Sequence, residues 1–167
     1  GKSRSQGVEL ELQAILTEQL NFSMSLGYTD AEYKDYTSPT GQVFDNEPFY
    51  FVPDLTASAN LEYNLPLQNG IELEFSANYR HVASYTKNMG GFLGGGKELE
   101  IPKQDRVNLQ ATLAKENWRF TGYITNVFDA YDYNNALLSI YLADDPDNYY
   151  AAPLAPRQVG FKVSRTF

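Results

Sequence analysis

Ile71-Glu72-Leu73-Glu74-Phe75-Ser76-Ala77-Asn78-Tyr79-Arg80 alternates apolar and polar side chains without a break. A strand sends successive side chains to opposite faces, so this segment has one apolar and one polar face. A helix would not. At a period of 3.6 the glutamates would cut any apolar stripe. The same pattern recurs on both sides. Val8, Leu10, Leu12, Ala14 and Leu16 alternate with Glu9, Glu11, Gln13 and Ile15; Leu20, Phe22, Met24, Leu26 and Tyr28 with Asn21, Ser23, Ser25, Gly27 and Thr29. Further strands are expected over 55–63, 106–113, 118–125 and 158–167. In the last of these Arg165 is the one charge on the apolar side. These strands are longer than the usual five or six residues, and a tilted strand of about 9–11 residues crosses a bilayer.

The composition narrows the function. The chain has 167 residues and a net charge of -8, which argues against nucleic acid, because a phosphate backbone needs a basic surface. It has no cysteine and one histidine, His81, so disulfides, thiolate metal sites and histidine-rich metal sites are excluded. No apolar run reaches the length of a transmembrane helix, which leaves a membrane β-barrel open. The chain begins Gly1-Lys2-Ser3-Arg4, which reads as a mature product or a fragment.

The connections alternate in length. Thr17 to Gln19, Pro66 to Gly70 and Ala114 to Asn117 are short, and Asn69-Gly70 suits a tight turn because both residues tolerate positive φ. Segments 31–53, 87–104 and 129–155 are long, as in outer-membrane barrels with tight periplasmic turns and long outer loops. Gly90-Gly91 and Gly94-Gly95-Gly96 predict a mobile middle loop, and Ala136–Leu142 a short helix or strand in the last one. If the last strand ends at the periplasm, Tyr63, Trp118 and Phe167 sit at the periplasmic end of the apolar face, with Phe22 one step in. Tyr28 and Tyr79 sit at the outer end. These are two lipid-facing aromatic girdles. Core aromatics of a soluble sandwich are the plainer alternative.

Three stretches resemble the TonB-dependent receptors, the outer-membrane importers of Gram-negative bacteria. Gly1-Lys2-Ser3-Arg4-Ser5-Gln6-Gly7-Val8-Glu9-Leu10-Glu11 is similar to a KS-x-G-x-E strand of that family. Asn126-Val127-Phe128-Asp129 with Tyr131 is similar to its N-[LV]-F-D-x-x-Y segment. Pro156-Arg157-Gln158-Val159-Gly160-Phe161-Lys162-Val163-Ser164-Arg165-Thr166-Phe167 resembles its closing strand, except that Arg165 replaces the usual aromatic. The resemblance implies an all-β fold, a transmembrane antiparallel β-barrel of 22 strands with an N-terminal plug. Residues 1–167 would supply its last seven strands, without the plug or the energy-coupling TonB box. An open seven-stranded sheet agrees that the barrel is incomplete, because hydrocarbon does not tolerate unpaired edges. The implied function is energy-coupled uptake of a scarce nutrient, such as a ferric siderophore, across the outer membrane. The implied partners are outer-membrane lipid and lipopolysaccharide, the plug, the inner-membrane energy-coupling complex, a small-molecule substrate and the barrel-assembly machinery. The assembly signal would lie on Phe161, Val163 and Phe167.

Candidate binding residues follow from this orientation. Arg80 and Arg106 would face the outer mouth and suit an anionic ligand. Glu9, Glu11, Glu62, Glu72, Glu74, Arg119 and Lys162 would line the lumen as a solvated, ion-paired wall or as plug contacts. Among loop aromatics, Tyr85, Tyr131, Tyr133 and Tyr149 are candidates for stacking on a planar ligand, alongside Tyr33, Tyr36, Phe44, Phe49, Tyr50, Phe51, Phe92, Tyr141 and Tyr150; the same rings would equally pin the loops. Asp144-Asp145-Pro146-Asp147-Asn148 lacks the glycine and terminal glutamate of a calcium loop and reads as an acidic turn. No metal and no cofactor is expected. His81 with Ser84 makes no catalytic set, so no enzyme is expected. Asn126 to Asp129 is expected to form a structural corner with Phe128 packed at the loop base.

Two other readings remain: a passive porin or adhesin-type barrel, and a soluble β-sandwich binding module. Leu109→Lys should be costly only if that face meets lipid, whereas Asn108→Lys should be tolerated.

Overall fold

The computed structural model describes residues 1–39, 41, 43–88, 98–138 and 149–167. Its frame is one antiparallel sheet in the order β1-β2-β4-β5-β8-β9-β12. The strands are β1 (Ser3–Ile15), β2 (Leu20–Thr37), β4 (Leu55–Pro66), β5 (Ile71–Val82), β8 (Gln104–Lys115), β9 (Trp118–Thr125) and β12 (Gln158–Arg165). Each pairs with its predecessor on this path, so the sheet is an up-and-down meander. β1 and β12 end the path and do not pair with each other. All seven alternating segments are therefore strands.

The registers place the apolar side chains in rows. One row runs Ala14, Phe22, Leu61, Ala77, Leu109, Ile124, Val159. Among the described residues nothing covers these rows. Leu12 keeps 46% of its surface exposed and Leu109 41%, and the buried hydrophobic residues described are Phe44, Val82 and Ile101, all outside the middle of the apolar rows. A sandwich would seal this face under a second sheet, about 10 Å away.

The short turns form as their residues dictate. Thr17 Oγ1 accepts from the backbone N–H of Gln19 (3.2 Å) and Leu20 (3.0 Å). Asn69 and Gly70 take φ of 61° and 67° in a 3-10 turn. The long connections are more ordered than the sequence suggests. β2 continues to Thr37 and pairs there with β3 (Val43–Pro48). β6 (Tyr85–Asn88) pairs with β7 (Glu98–Ile101), and β10 (Tyr133–Leu138) with β11 (Tyr149–Pro153). The Ala136–Leu142 stretch is thus strand as far as Leu138. Its remainder, the acidic run 144–148, Tyr141, Phe92 and the glycines at 90–96 lie outside the described residues.

One expectation needs correction. Phe128 does not pack the loop base; it is 73% exposed. Positive φ at Asn126 and Asp129 turns the chain sharply, and polar bonds from those two residues hold the corner instead. Arg165 is the one charge on the apolar side of the last strand, as expected, and other strands add charges to that face. β8 is longer than the alternation indicated, and Asp105 and Lys115 continue its apolar row at either end.

Candidate functional site, the polar face and its outer mouth

The polar face is hydrogen-bonded across the strands by its own side chains. Asn60 Nδ2 donates to Ser23 Oγ (3.3 Å), Asn78 Nδ2 to Asn60 Oδ1 (2.6 Å), and Asn108 Nδ2 to Asn78 Oδ1 (3.3 Å). Asn108 Oδ1 in turn accepts the backbone N–H of Asn126 (3.0 Å). The bonds all point one way, so each amide polarises the next. Register explains the ladder, because Ser23, Asn60, Asn78 and Asn108 are matched partners on four neighbouring strands. Ser25–Ser58 and Thr112–Thr121 add hydroxyl pairs, each at 2.9 Å. Arg119 pairs with Glu74, so two of the expected wall charges neutralise each other. Asn108 is thus a structural partner rather than a free wall position, and Asn108→Lys removes two hydrogen bonds. Gln110, exposed on the same face, is the sound control.

The ladder ends at the Asn126 corner. Asn126 is 2% exposed. Its Nδ2 donates to Ala130 O (3.0 Å) and Ala155 O (3.3 Å), and its Oδ1 accepts from Ala130 N (3.0 Å). Asp129 Oδ1 accepts from Arg157 N (2.9 Å). The motif therefore ties both ends of the last long connection to the top of β9.

Arg80 and Arg106 are matched partners on β5 and β8 at the outer end of the polar face. Like charges directly opposite repel. Arg106 is neutralised: Nε donates to Asp132 Oδ2 (3.2 Å) and an Nη to Ala155 O (3.0 Å). Asp132 is buried, so this is a shielded strap across the loop base. Arg80 is exposed and has no ion pair or hydrogen bond among the described residues. The two arginines therefore play different parts in one row.

The candidate tyrosines disperse. Tyr85 Oη donates to Asn134 O (3.1 Å), and burial pushes its pKa up, so the phenol stays a donor. Tyr133 lines a cleft of about 590 Å³ with His81, Ser84, Glu100 and Lys103, while its carbonyl accepts from Gln104 Nε2 (3.1 Å). Tyr131 is exposed. The backbone of Tyr149 lies in β11, and its side chain is outside the described residues. On β2 and β3, Tyr33 packs on Phe49 (4.5 Å between ring centres), Tyr36 (5.3 Å) and Phe44 (5.3 Å), and Phe44 is buried. These rings pin their own hairpin.

His81 pairs with neither Ser84 nor the polar face. Its Nδ1 lies 2.7 Å from Asp105 Oδ1, which also accepts from Tyr79 Oη (2.7 Å). Lys103 Nζ stands 3.4 Å from the other carboxylate oxygen. Residues 79, 81 and 105 follow the apolar rows, so this cluster caps the apolar face at its outer end. Of the expected girdle, Tyr28, Tyr63, Tyr79, Trp118 and Phe167 are exposed at the ends of those rows, and Phe22 is half-buried. A depression of about 510 Å³ is left on the apolar face where Ala77, Ala111 and Gly122 fall between Leu61 and Val159. It is remote from the outer mouth. Among the described residues no group of His, Asp or Glu has the geometry to hold a metal.

A long-stranded antiparallel meander with an uncovered apolar face and a hydrogen-bonded polar face is the architecture of a barrel wall. The sequence model described as "TonB dependent receptor-like, beta-barrel" matches residues 1–127. The chain belongs to the TonB-dependent receptor β-barrel family. Among solved structures, it is similar to the ferric yersiniabactin uptake receptor FyuA of Yersinia pestis (TM-score 0.76, 16% identity), covering 99% of this chain and 24% of that one. It is also similar to the ferripyoverdine receptor of Pseudomonas aeruginosa (TM-score 0.71, 14% identity, 98% and 19%). BauA, the ferric preacinetobactin receptor of Acinetobacter baumannii, gives a TM-score of 0.67 at 19% identity, covering 97% and 22%. No curated protein matches the chain. The chain thus spans about a quarter or less of these receptors' length, and the likeness shows the fold.

Proposed function

We propose that residues 1–167 are the final seven strands of an outer-membrane receptor barrel that imports a scarce nutrient by TonB-dependent energy coupling. A ferric siderophore is the substrate class that best fits. The apolar face would meet lipid and the polar face a wet lumen shared with a plug. The observation that carries the reading is the division of the outer mouth: Arg106 is locked to Asp132 and Ala155, leaving Arg80 as an open cation in a chain of net charge -8. An unpaired guanidinium beside the already paired Arg106 offers charge and forked N–H donors to an anionic ligand. Tyr85, held by its bond to Asn134 O, and Tyr133, beside His81, would offer rings for a ligand to stack on as it approaches. The role proposed for this mouth is capture and passage. The chain's substrate would arrive from outside, and the driving force would come from the inner-membrane coupling complex acting on the plug.

The test is uptake of radiolabelled ferric siderophores by cells carrying the full-length receptor, with and without a protonophore. Uptake that the protonophore abolishes supports the reading. Uptake of small solutes that persists without an energised inner membrane favours a passive barrel.

A further inference from the structure

Arg165 departs from the resemblance that frames the rest of the closing strand, and its surroundings suggest why. Register sets Lys115, Trp118 and Arg165 in one row across β8, β9 and β12, on the apolar side. The Arg165 guanidinium carbon lies 5.2 Å from the Trp118 ring centre and 5.0 Å from that of Phe167. Two aromatic rings hold it by their faces, which leaves its N–H edges directed away from the rings. Lys115 flanks Trp118 on the other side, and adjacent strands put the Cα atoms of Lys115 and Arg165 about 10 Å apart. Both side chains can therefore converge above the indole.

No carboxylate stands in this row, which continues to Ile71. The next row inward, Leu73, Leu113, Phe120 and Val163, is wholly apolar. Glu72 and Glu74 lie on the opposite face, where Glu74 is paired with Arg119. Glu116, in the β8–β9 turn, is close in sequence but pairs with neither cation. Neither Lys115 nor Arg165 makes an ion pair or a hydrogen bond to another side chain among the described residues. The other end of the same face differs, because its charge is already matched within Tyr79, His81, Lys103 and Asp105.

We propose that Lys115, Trp118 and Arg165 bind the headgroup phosphate of an anionic phospholipid at the periplasmic boundary of the membrane. This rests on the outer-membrane reading above. Lys115 and Arg165 supply the charge, Arg165 offers paired N–H donors to the phosphate oxygens, and the rings sit at headgroup depth. The acyl chains then run along the apolar rows.

The experiment is native mass spectrometry of the full-length receptor in mild detergent, with phosphatidylglycerol and phosphatidylethanolamine competing at equal concentration. The wild type should retain phosphatidylglycerol preferentially. Arg165→Gln and Lys115→Gln should each weaken that retention about fivefold, and the double variant should show no preference. Arg165→Lys, which keeps the charge but loses the paired donors, should retain a preference between those of the wild type and Arg165→Gln, and Lys162→Gln, on the polar face, should retain all of it. No preference in the wild type, preference surviving in the double variant, or displacement by an equal concentration of inorganic phosphate would overturn the site while leaving the barrel intact. A receptor that stays dispersed without detergent or lipid would overturn the membrane reading, and this site with it.

Discussion

The two faces of this sheet share one backbone ladder and differ in what completes them. On the polar face the side chains satisfy each other, amide to amide, from Ser23 through Asn108 to the Asn126 corner. On the apolar face leucines and aromatics stand uncovered along every strand. A protein whose large apolar residues pack on nothing of its own needs another apolar phase to cover them. That contrast carries the membrane reading, and each face can be perturbed separately.

The largest effect is expected from charge placed on the apolar face. Leu109→Lys should destabilise the assembled receptor by about 2–4 kcal/mol, as read by denaturant unfolding in lipid vesicles, while Gln110→Lys one position away changes little. Equal costs at both positions would remove the distinction between the faces. Next comes the ladder. Asn78→Leu strands the Asn108 donor and the Asn60 acceptor, and should cost about 1–3 kcal/mol by the same unfolding measurement. Arg106→Ala leaves Asp132 unpaired at the loop base. It should raise the rate of proteolysis within 129–155 several-fold, because the unpaired buried carboxylate loosens the loop base. Arg80→Ala should leave stability within about 0.5 kcal/mol, since it removes a like-charge neighbour of Arg106 and breaks no bond. Its expected effect is weaker capture of an anionic ligand, measured as a raised half-saturation of uptake.

The seven main strands were legible because a period of two survives in every one of them, and Asn69-Gly70 announces its turn. β3, β6–β7 and β11 were not, because no face of them is continuously apolar and alternation has nothing to mark; of β10 only the apolar stretch from Ala136 was visible, as helix or strand. The amide ladder was half legible. Asn60, Asn78 and Asn108 were each visible as polar-face residues, but only the register shows that they stand abreast. The same holds for His81, whose partner Asp105 is 24 positions away in sequence and adjacent across the β5–β8 pair. Arg80 and Arg106 looked alike in sequence. Asp132 and the Ala155 carbonyl, brought over by the last loop, separate them. For Phe128, the resemblance marked the motif but not the direction of the ring; positive φ on either side sends it outward.

The most direct test of the two-faced wall is accessibility at adjacent positions of β8 in the full-length receptor reconstituted in lipid vesicles. Spin labels attached after Leu109→Cys and Gln110→Cys, in separate variants, would be probed with oxygen and with a water-soluble nickel chelate. The account predicts that the label at 109 responds to oxygen and is shielded from the chelate, and that the label at 110 shows the reverse. Equal exposure of both labels to the chelate would contradict it.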